Sequence, residues 1–236
     1  MTLPSTNKDR LREFFVSVPL PFSKWLYALA RSSVFPDDRQ PYFEMAFQRV
    51  RDLQLRGDYL EFGVYRGSSF TLAARSAAKY GLNTMRYFAF DSFQGLPEAE
   101  GKVFAHGEFA CSEQNFTRII TKAGVPIGKV VKVKGFYNES LTNDVKAKYK
   151  LDRATVVHID CDLYSSTKDV LAFIEGIVQA GTIIIFDDWS VFRNEDRPED
   201  FGEPKAFNEW VLRKAFEDFY EFRSTKAFIM TAEKVH

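Results

Sequence analysis

Residues 155–162 read TVVHIDCD, and residues 181–189 read GTIIIFDDW. Each is a short Val- and Ile-rich run that ends on acids, Asp160 and Asp162 in the first, Asp187 and Asp188 in the second. Strands with apolar interiors on both faces belong to parallel sheets covered by helices. In such sheets ligands sit beyond the carboxyl ends of the strands. If the two strands are neighbours, Asp160, Asp187 and Asp188 converge there. Carboxylates packed together repel one another and resist desolvation, so they require a counter-charge. A hard divalent cation that prefers oxygen ligands, such as Mg2+, is the simplest one. The competing readings are local: Asp162 as the cap of a helix beginning near Tyr164, and Asp188 as the start of a solvated loop.

Working outward, strand and helix patterns alternate. Phe43, Phe47, Val50 and Leu53 fall at helical spacing, DYLEFG reads as a strand, and residues 68–79 as a helix. RYFAFD is a second strand, Phe116, Ile119, Ile120 and Ala123 mark a helical face, and KVVKVKG is a third strand. A polar helix is expected over 140–148, then TVVHID, then a helix carrying Val170, Leu171, Ile174 and Val178, then GTIIIFD. Repeated β-α-β units of this length predict a doubly wound, Rossmann-like α/β sheet. The ending differs. After a helix with Phe207, Trp210 and Val211, YEFR and KAFIMTAE are separated only by Ser224 and Thr225, which permits an antiparallel pair and forbids a helical crossover. Ser-Thr is a poor tight-turn pair and leaves the register open.

The 236 residues are 45% hydrophobic and 16% aromatic, enough for one large domain with a full core. Lys plus Arg and Asp plus Glu both number 32, so bulk charge attracts neither nucleic acid nor an anionic membrane. Cys111 and Cys161 are too few for a disulfide framework, and a reducing cytoplasm is expected. Residues 1–37 read as an aromatic-rich helical arm preceding a domain over 38–236. Pro19, Pro21 and Lys24 interrupt its apolar run, which argues against a signal peptide and a membrane span. The arm is expected to pack on the domain or to support a homo-oligomer.

Glu61-Phe62-Gly63-Val64-Tyr65-Arg66-Gly67 lies at the first strand-to-helix junction. Glycine there allows a sharp turn and close approach of a ligand, and the helix starting near Ser68 and Ser69 favours an anionic group. Tight packing alone would also explain Gly63 and Gly67. Asp91 ends the second strand, where such folds place an acid to accept from ribose hydroxyls, although it could equally cap the turn DSFQGLP. A bulky Tyr65 where a dinucleotide fingerprint needs glycine disfavours a pyrophosphate. A nucleoside with a carboxylate tail, S-adenosylmethionine, fits better than NAD.

LEFGVYRGSSF, FAFDSFQGLPE, VKGFYNESL, HIDCDLYSSTKDVL and GTIIIFDDW, in this order, resemble the macrocin O-methyltransferase family over roughly residues 40–190. Five parallel strands closed by an antiparallel hairpin likewise resemble the class I methyltransferase architecture. The resemblance implies an S-adenosylmethionine- and Mg2+-dependent enzyme that methylates a hydroxyl of a small molecule, commonly on a sugar. It implies Glu61, Gly63, Tyr65, Gly67 and Ser68 at the methionine end of the cofactor, Asp91 and Ser92 at the ribose, and Gly135 and Phe136 near the adenine. It implies Asp160, Asp187 and Asp188 as metal ligands, with Asp160 also the general base and Asp162 the fallback. His158 reads as a satisfied core histidine, and His106 as a loop residue that could reach the acceptor. The stretch from Trp189 to Pro204 reads as a lid or as a solvated loop. The rivals are a metal-dependent glycosyltransferase using Asp160-Cys161-Asp162, and a non-catalytic subunit that keeps the cofactor fold.

Overall fold

The computed structural model describes residues 39–211 and 215–231. The arm predicted over residues 1–37 lies outside the described residues. The chain of elements is α1 (Gln40–Asp52), β1 (Asp58–Phe62), α2 (Ser68–Lys79), β2 (Tyr87–Asp91), α3 (Glu113–Lys122) and β3 (Val130–Lys134). It continues with α4 (Tyr137–Ser140), α5 (Asn143–Tyr149), β4 (Ala154–Ile159), α6 (Tyr164–Ile174) and β5 (Ile183–Phe186). The last elements are α7 (Gly202–Val211), β6 (Phe216–Phe222) and β7 (Thr225–Met230).

The strands form one seven-stranded sheet in the order β3-β2-β1-β4-β5-β7-β6. The first five are parallel, β7 runs antiparallel to β5, and β6 is antiparallel to β7. From β1 the chain winds outward to β2 and β3, then returns to start β4 on the other side. The reversal opens a crevice at the carboxyl ends of β1 and β4, the place where such sheets bind ligands. All residues of β1, β4 and β5 are buried because helices cover both faces. Strand alternation divides them: Tyr59, Val156 and Ile185 pack with Phe43, Phe47, Phe70 and Phe116 of α1, α2 and α3. Leu60, Phe62, Val157 and Ile184 pack with Leu171 and Ile174 of α6 and Phe207 of α7.

The expected architecture is present, with three local corrections. The polar helix expected over 140–148 is two helices, because the Thr142 side chain accepts the Val145 N–H at 3.4 Å and starts α5 afresh. Leu53 and Val178 lie past the ends of α1 and α6 rather than on their faces. The hairpin turns on Arg223 and Ser224, not Ser224 and Thr225: Phe222 pairs with Thr225, and Arg223 takes a left-handed φ of 58°. No helix among the described residues is long and apolar enough to cross a membrane.

Candidate active site

The loop after β1 is shaped by its neighbours. Gly63 has φ +86°, and a Cβ there would sit 1.8 Å from the Asp160 carbonyl oxygen, so this crossing of β1 and β4 admits no side chain. Gly67 has φ +74°, and a Cβ would meet Ile120 and Phe116 of α3. Tight packing therefore accounts for both glycines. Tyr65, between them, is exposed with φ 41°, and its ring meets the exposed Phe109 edge-on with centroids 5.8 Å apart. Ser68, the first residue of α2, is exposed, whereas Ser69 is buried and donates to Glu61 Oε1 at 2.6 Å.

Asp91 serves as both hinge pin and turn cap. Its Oδ2 accepts the Val64 N–H at 2.8 Å and the Tyr65 N–H at 3.2 Å, while Oδ1 accepts the Phe93 N–H at 2.6 Å. Burial raises its pKa, and these N–H groups work against that rise. Ser92 closes the same turn, donating to the Gly95 carbonyl and accepting the Gln94 N–H, both at 3.0 Å. Gly135 bonds back to the Asp91 carbonyl at 3.1 Å, which puts the start of the following turn beside the same strand end. Phe136 is half-buried ahead of α4.

At the ends of β4 and β5 the acids do converge. Asp160 shares one group with His158 and Asp187, and another with Asp162 and Asp188, with one candidate ligand atom from each member lying within 4.8 Å of the others. Asp162 does not cap α6, whose first turn starts after Leu163 without a side-chain cap. It is instead buried with φ 65°, and burial together with Asp188 pushes its pKa well above the usual carboxylate range.

His158 is fully buried, facing Phe43 edge-on, and neither ring nitrogen makes a hydrogen bond. Nδ1 lies 3.8 Å from Glu61 Oε2, its register partner across β1, and Nε2 lies 3.9 Å from Asp187 Oδ1. Burial alone would lower its pKa, but the two carboxylates prevail and raise it to about 10. The two carboxylates thus favour the protonated ring, which they would satisfy by charge rather than by hydrogen bonds. Glu61 has no exposed surface; it faces the His158 ring and accepts hydrogen bonds from Tyr59 and Ser69. It stands behind the crevice wall. Asp187 additionally accepts from the Tyr42 hydroxyl at 3.1 Å and from Thr225 Oγ1 at 3.2 Å. The counter-charge expected of a metal is, at Asp187, already supplied in part by His158.

Three residues that decide the shape of this site were not singled out from sequence. Glu203 is fully buried at the start of α7; its Oε2 accepts the Asp188 N–H at 3.0 Å. Glu100 accepts the Gly202 N–H at 2.7 Å and the Tyr164 N–H at 2.6 Å, joining the loop after β2 to the starts of α6 and α7. Phe192 is buried in a small cluster with Leu96, Phe104 and Leu163, which anchors the connection from Trp189 at that point, while residues 193, 194 and 196–199 are exposed. A signal existed only for Phe192, an aromatic inside a charged stretch. His106 is exposed on the turn after Phe104.

The group of Asp160, Asp162 and Asp188 offers carboxylate oxygen alone, the chemistry that suits a hard cation such as Mg2+, while the other group adds the His158 ring to Asp160 and Asp187. The buried Glu203 Oε1, which has no hydrogen-bond partner, points the same way, because an uncompensated buried carboxylate oxygen is costly. A cation fits these residues.

The profile of the family described as macrocin-O-methyltransferase (TylF) matches residues 30–209. The chain is 26% identical over 155 residues to an 8-demethyl-8-(2,3-dimethoxy-alpha-L-rhamnosyl)-tetracenomycin-C 4'-O-methyltransferase of Streptomyces olivaceus, covering 61% of this chain and 58% of that protein. It is 26% identical over 151 residues to a mycinamicin III 3''-O-methyltransferase of Micromonospora griseorubida, covering 57% and 56%. The matches span less than two thirds of these relatives. Among solved structures, the O-methyltransferase NovP superposes with a TM-score of 0.68 at 23% identity, covering 82% of this chain and 80% of that one, a likeness of fold. With the profile covering most of the sequence, the chain belongs to the macrocin-O-methyltransferase family.

Proposed function

We propose that this chain is an S-adenosylmethionine-dependent O-methyltransferase that acts with Mg2+ on a hydroxyl of a small molecule, a sugar moiety of a glycoside or natural product. The observation that carries the reading is the convergence of Asp160 with Asp187 and with Asp188 beside the β1 loop, at the crevice of a doubly wound sheet. Family membership supports methyl transfer over the glycosyltransferase reading of Asp160-Cys161-Asp162. The rhamnosyl group in one relative's name supports a sugar acceptor. A cytoplasmic location fits such chemistry and the free thiols of Cys111 and Cys161.

When bound, S-adenosylmethionine supplies an electrophilic methyl group, and Mg2+ lowers the pKa of a hydroxyl beside it. In this reading Asp160, Asp187 and Asp188 hold the cation. Gly63, Tyr65, Gly67 and Ser68 form the cradle for the methionine end, with Glu61 fixing it from behind through Ser69. Asp91 and Ser92 take the ribose, and Gly135 and Phe136 border the adenine. Asp160 would take the proton released by the acceptor hydroxyl, which would become the nucleophile for the cofactor's methyl group. The protein's share is orientation and proton removal. The exposed pair Tyr65 and Phe109, at the edge of the crevice, offers an apolar face to the acceptor. The segment from Trp189 to Pro204 closes over the acceptor and excludes water.

The test is calorimetric titration with S-adenosylhomocysteine, with and without Mg2+, followed by a methyl-transfer screen of glycosides and catechols. Micromolar binding and Mg2+-dependent transfer are expected. Binding without transfer to any acceptor would favour a non-catalytic subunit, and no binding in either condition would end the methyltransferase reading.

A further inference from the structure

We propose that Glu203, carried on the connection after β5, is a further carboxylate of the cation site, and that cation binding fixes this connection against the sheet. The inference rests on the metal-dependent reading above and extends it to a residue outside the strand ends.

Glu203 has no exposed surface, and one of its two oxygens, Oε1, makes no hydrogen bond at all. The other accepts the backbone N–H of Asp188, one of the acids at the β5 end. That bond sets the Glu203 carboxyl at the end of β5, next to the backbone of a candidate ligand but outside the two sets of ligand atoms that lie within 4.8 Å of one another, so its place is at the margin of the acidic group. A buried carboxylate oxygen beside other carboxylates is unfavourable unless a proton or a cation completes it, and the titration below separates the two.

The placement is built, not incidental. Gly202, directly before Glu203, has φ +57°, and a Cβ there would lie 2.6 Å from the Phe192 ring. Its N–H is held by Glu100, whose second oxygen holds the start of α6. The chain therefore enters α7 along a single path, with the first-turn side chain turned into the strand ends. A plainer account is that Glu203 complements the α7 dipole and caps the Asp188 N–H. That account needs no cation, so the two differ in a measurable way.

The experiment titrates Mg2+ and Mn2+ into the full chain and its Glu203→Gln variant by calorimetry. It also records the melting temperature with and without the ion and S-adenosylhomocysteine binding by both proteins. Glu203→Gln keeps the bond to Asp188 N–H through its amide oxygen. It should nevertheless weaken cation affinity about ten- to a hundredfold, as loss of groups around a metal site does, and lose most of the ion-induced rise in melting temperature. S-adenosylhomocysteine binding should be unchanged. Equal cation affinity and an equal rise in both proteins would overturn the inference and leave the methyltransferase reading intact. No cation binding by the wild type would overturn this inference and the metal-dependent reading together, with S-adenosylhomocysteine binding then reporting separately on the cofactor. Hydrogen exchange on the wild type requires no variant to fold: Mg2+ should slow exchange over residues 189–203, and unchanged exchange there would remove the proposed fixing of the connection.

Discussion

The fully buried imidazole of His158 faces the half-buried carboxylate of Asp187, Nε2 to Oδ1 3.9 Å, at the point where β4 and β5 deliver their acids, and the carboxylate favours the protonated ring. The opposite edge of the ring faces Glu61 at 3.8 Å. One cation thus serves two carboxylates, one on the side of the cofactor loop and one on the side of the acidic cluster.

Removing that cation should be expensive. His158→Gln leaves Glu61 and Asp187 facing each other without a positive charge, a loss of about 3–5 kcal/mol for a broken buried pair. Chemical denaturation of the metal-free protein would measure it. The double variant Glu61→Gln/His158→Gln should recover part of the loss, since only Asp187 then lacks its partner. A single variant as stable as wild type would mean that the imidazole is neutral and merely packed.

Asp91 should matter to folding as well as to cofactor binding. Its carboxylate accepts from Val64, Tyr65 and Phe93, so Asp91→Ala strips three backbone N–H groups of their acceptor. A destabilisation of about 2–4 kcal/mol is expected from unmet donors, together with weaker S-adenosylhomocysteine binding. Thermal melts and titration of the same sample separate the two effects. Weak binding at an unchanged melting temperature would show that the loop does not depend on Asp91.

Two glycines with similar dihedrals should respond very differently to alanine. Gly63 and Gly81 have φ of 86° and 74°, yet a Cβ at Gly81 meets nothing within 4 Å while one at Gly63 overlaps the Asp160 carbonyl. Gly81→Ala should cost roughly 1–2 kcal/mol, the strain of a left-handed backbone. Gly63→Ala adds overpacking of about 1–3 kcal/mol or more and shifts Asp160 itself. Expression yield and unfolding curves would rank them, and parity between the two would contradict the close crossing of β1 and β4.

The contrast between those glycines marks how far sequence could be read. Periodicity placed α2 on residues 68–79, where it stands, because Phe70, Ala73, Ala74 and Ala77 recur on one face. Strand ends alone brought Asp160 near Asp187 and near Asp188, although the two neighbours fall in separate groups, the second of which includes Asp162. The role of His158 did not, since its partners are a register neighbour on β1 and an acid on β5, and pairing across strands is not local information. Glu203 was hidden for a different reason. It lies in EDRPEDFGEP, where every acid looks equally solvated, and burial of that one depends on Gly202, Phe192 and Glu100 meeting in space. The hairpin register was not legible because Ser224 and Thr225 carry no strong turn preference, and the pairing of Phe222 with Thr225 sets the turn one residue earlier.

The segment after β5 offers the last test, of whether it acts as a lid. Phe192 stacks on Phe201 with centroids 5.2 Å apart and meets Phe104 edge-on at 5.6 Å, in a cluster separate from the two that flank the sheet. In a main core a Phe→Ala change costs about 3–5 kcal/mol. Here the loss should fall on a local opening and not on global unfolding, because the cluster is small and peripheral. Phe192→Ala is therefore expected to accelerate proteolysis between residues 193 and 200 and to raise the acceptor KM, with a modest change in melting temperature and intact S-adenosylhomocysteine binding. A large fall in melting temperature without faster local cleavage would mean that the segment folds as one with the sheet, and a cover that cannot open separately cannot admit an acceptor.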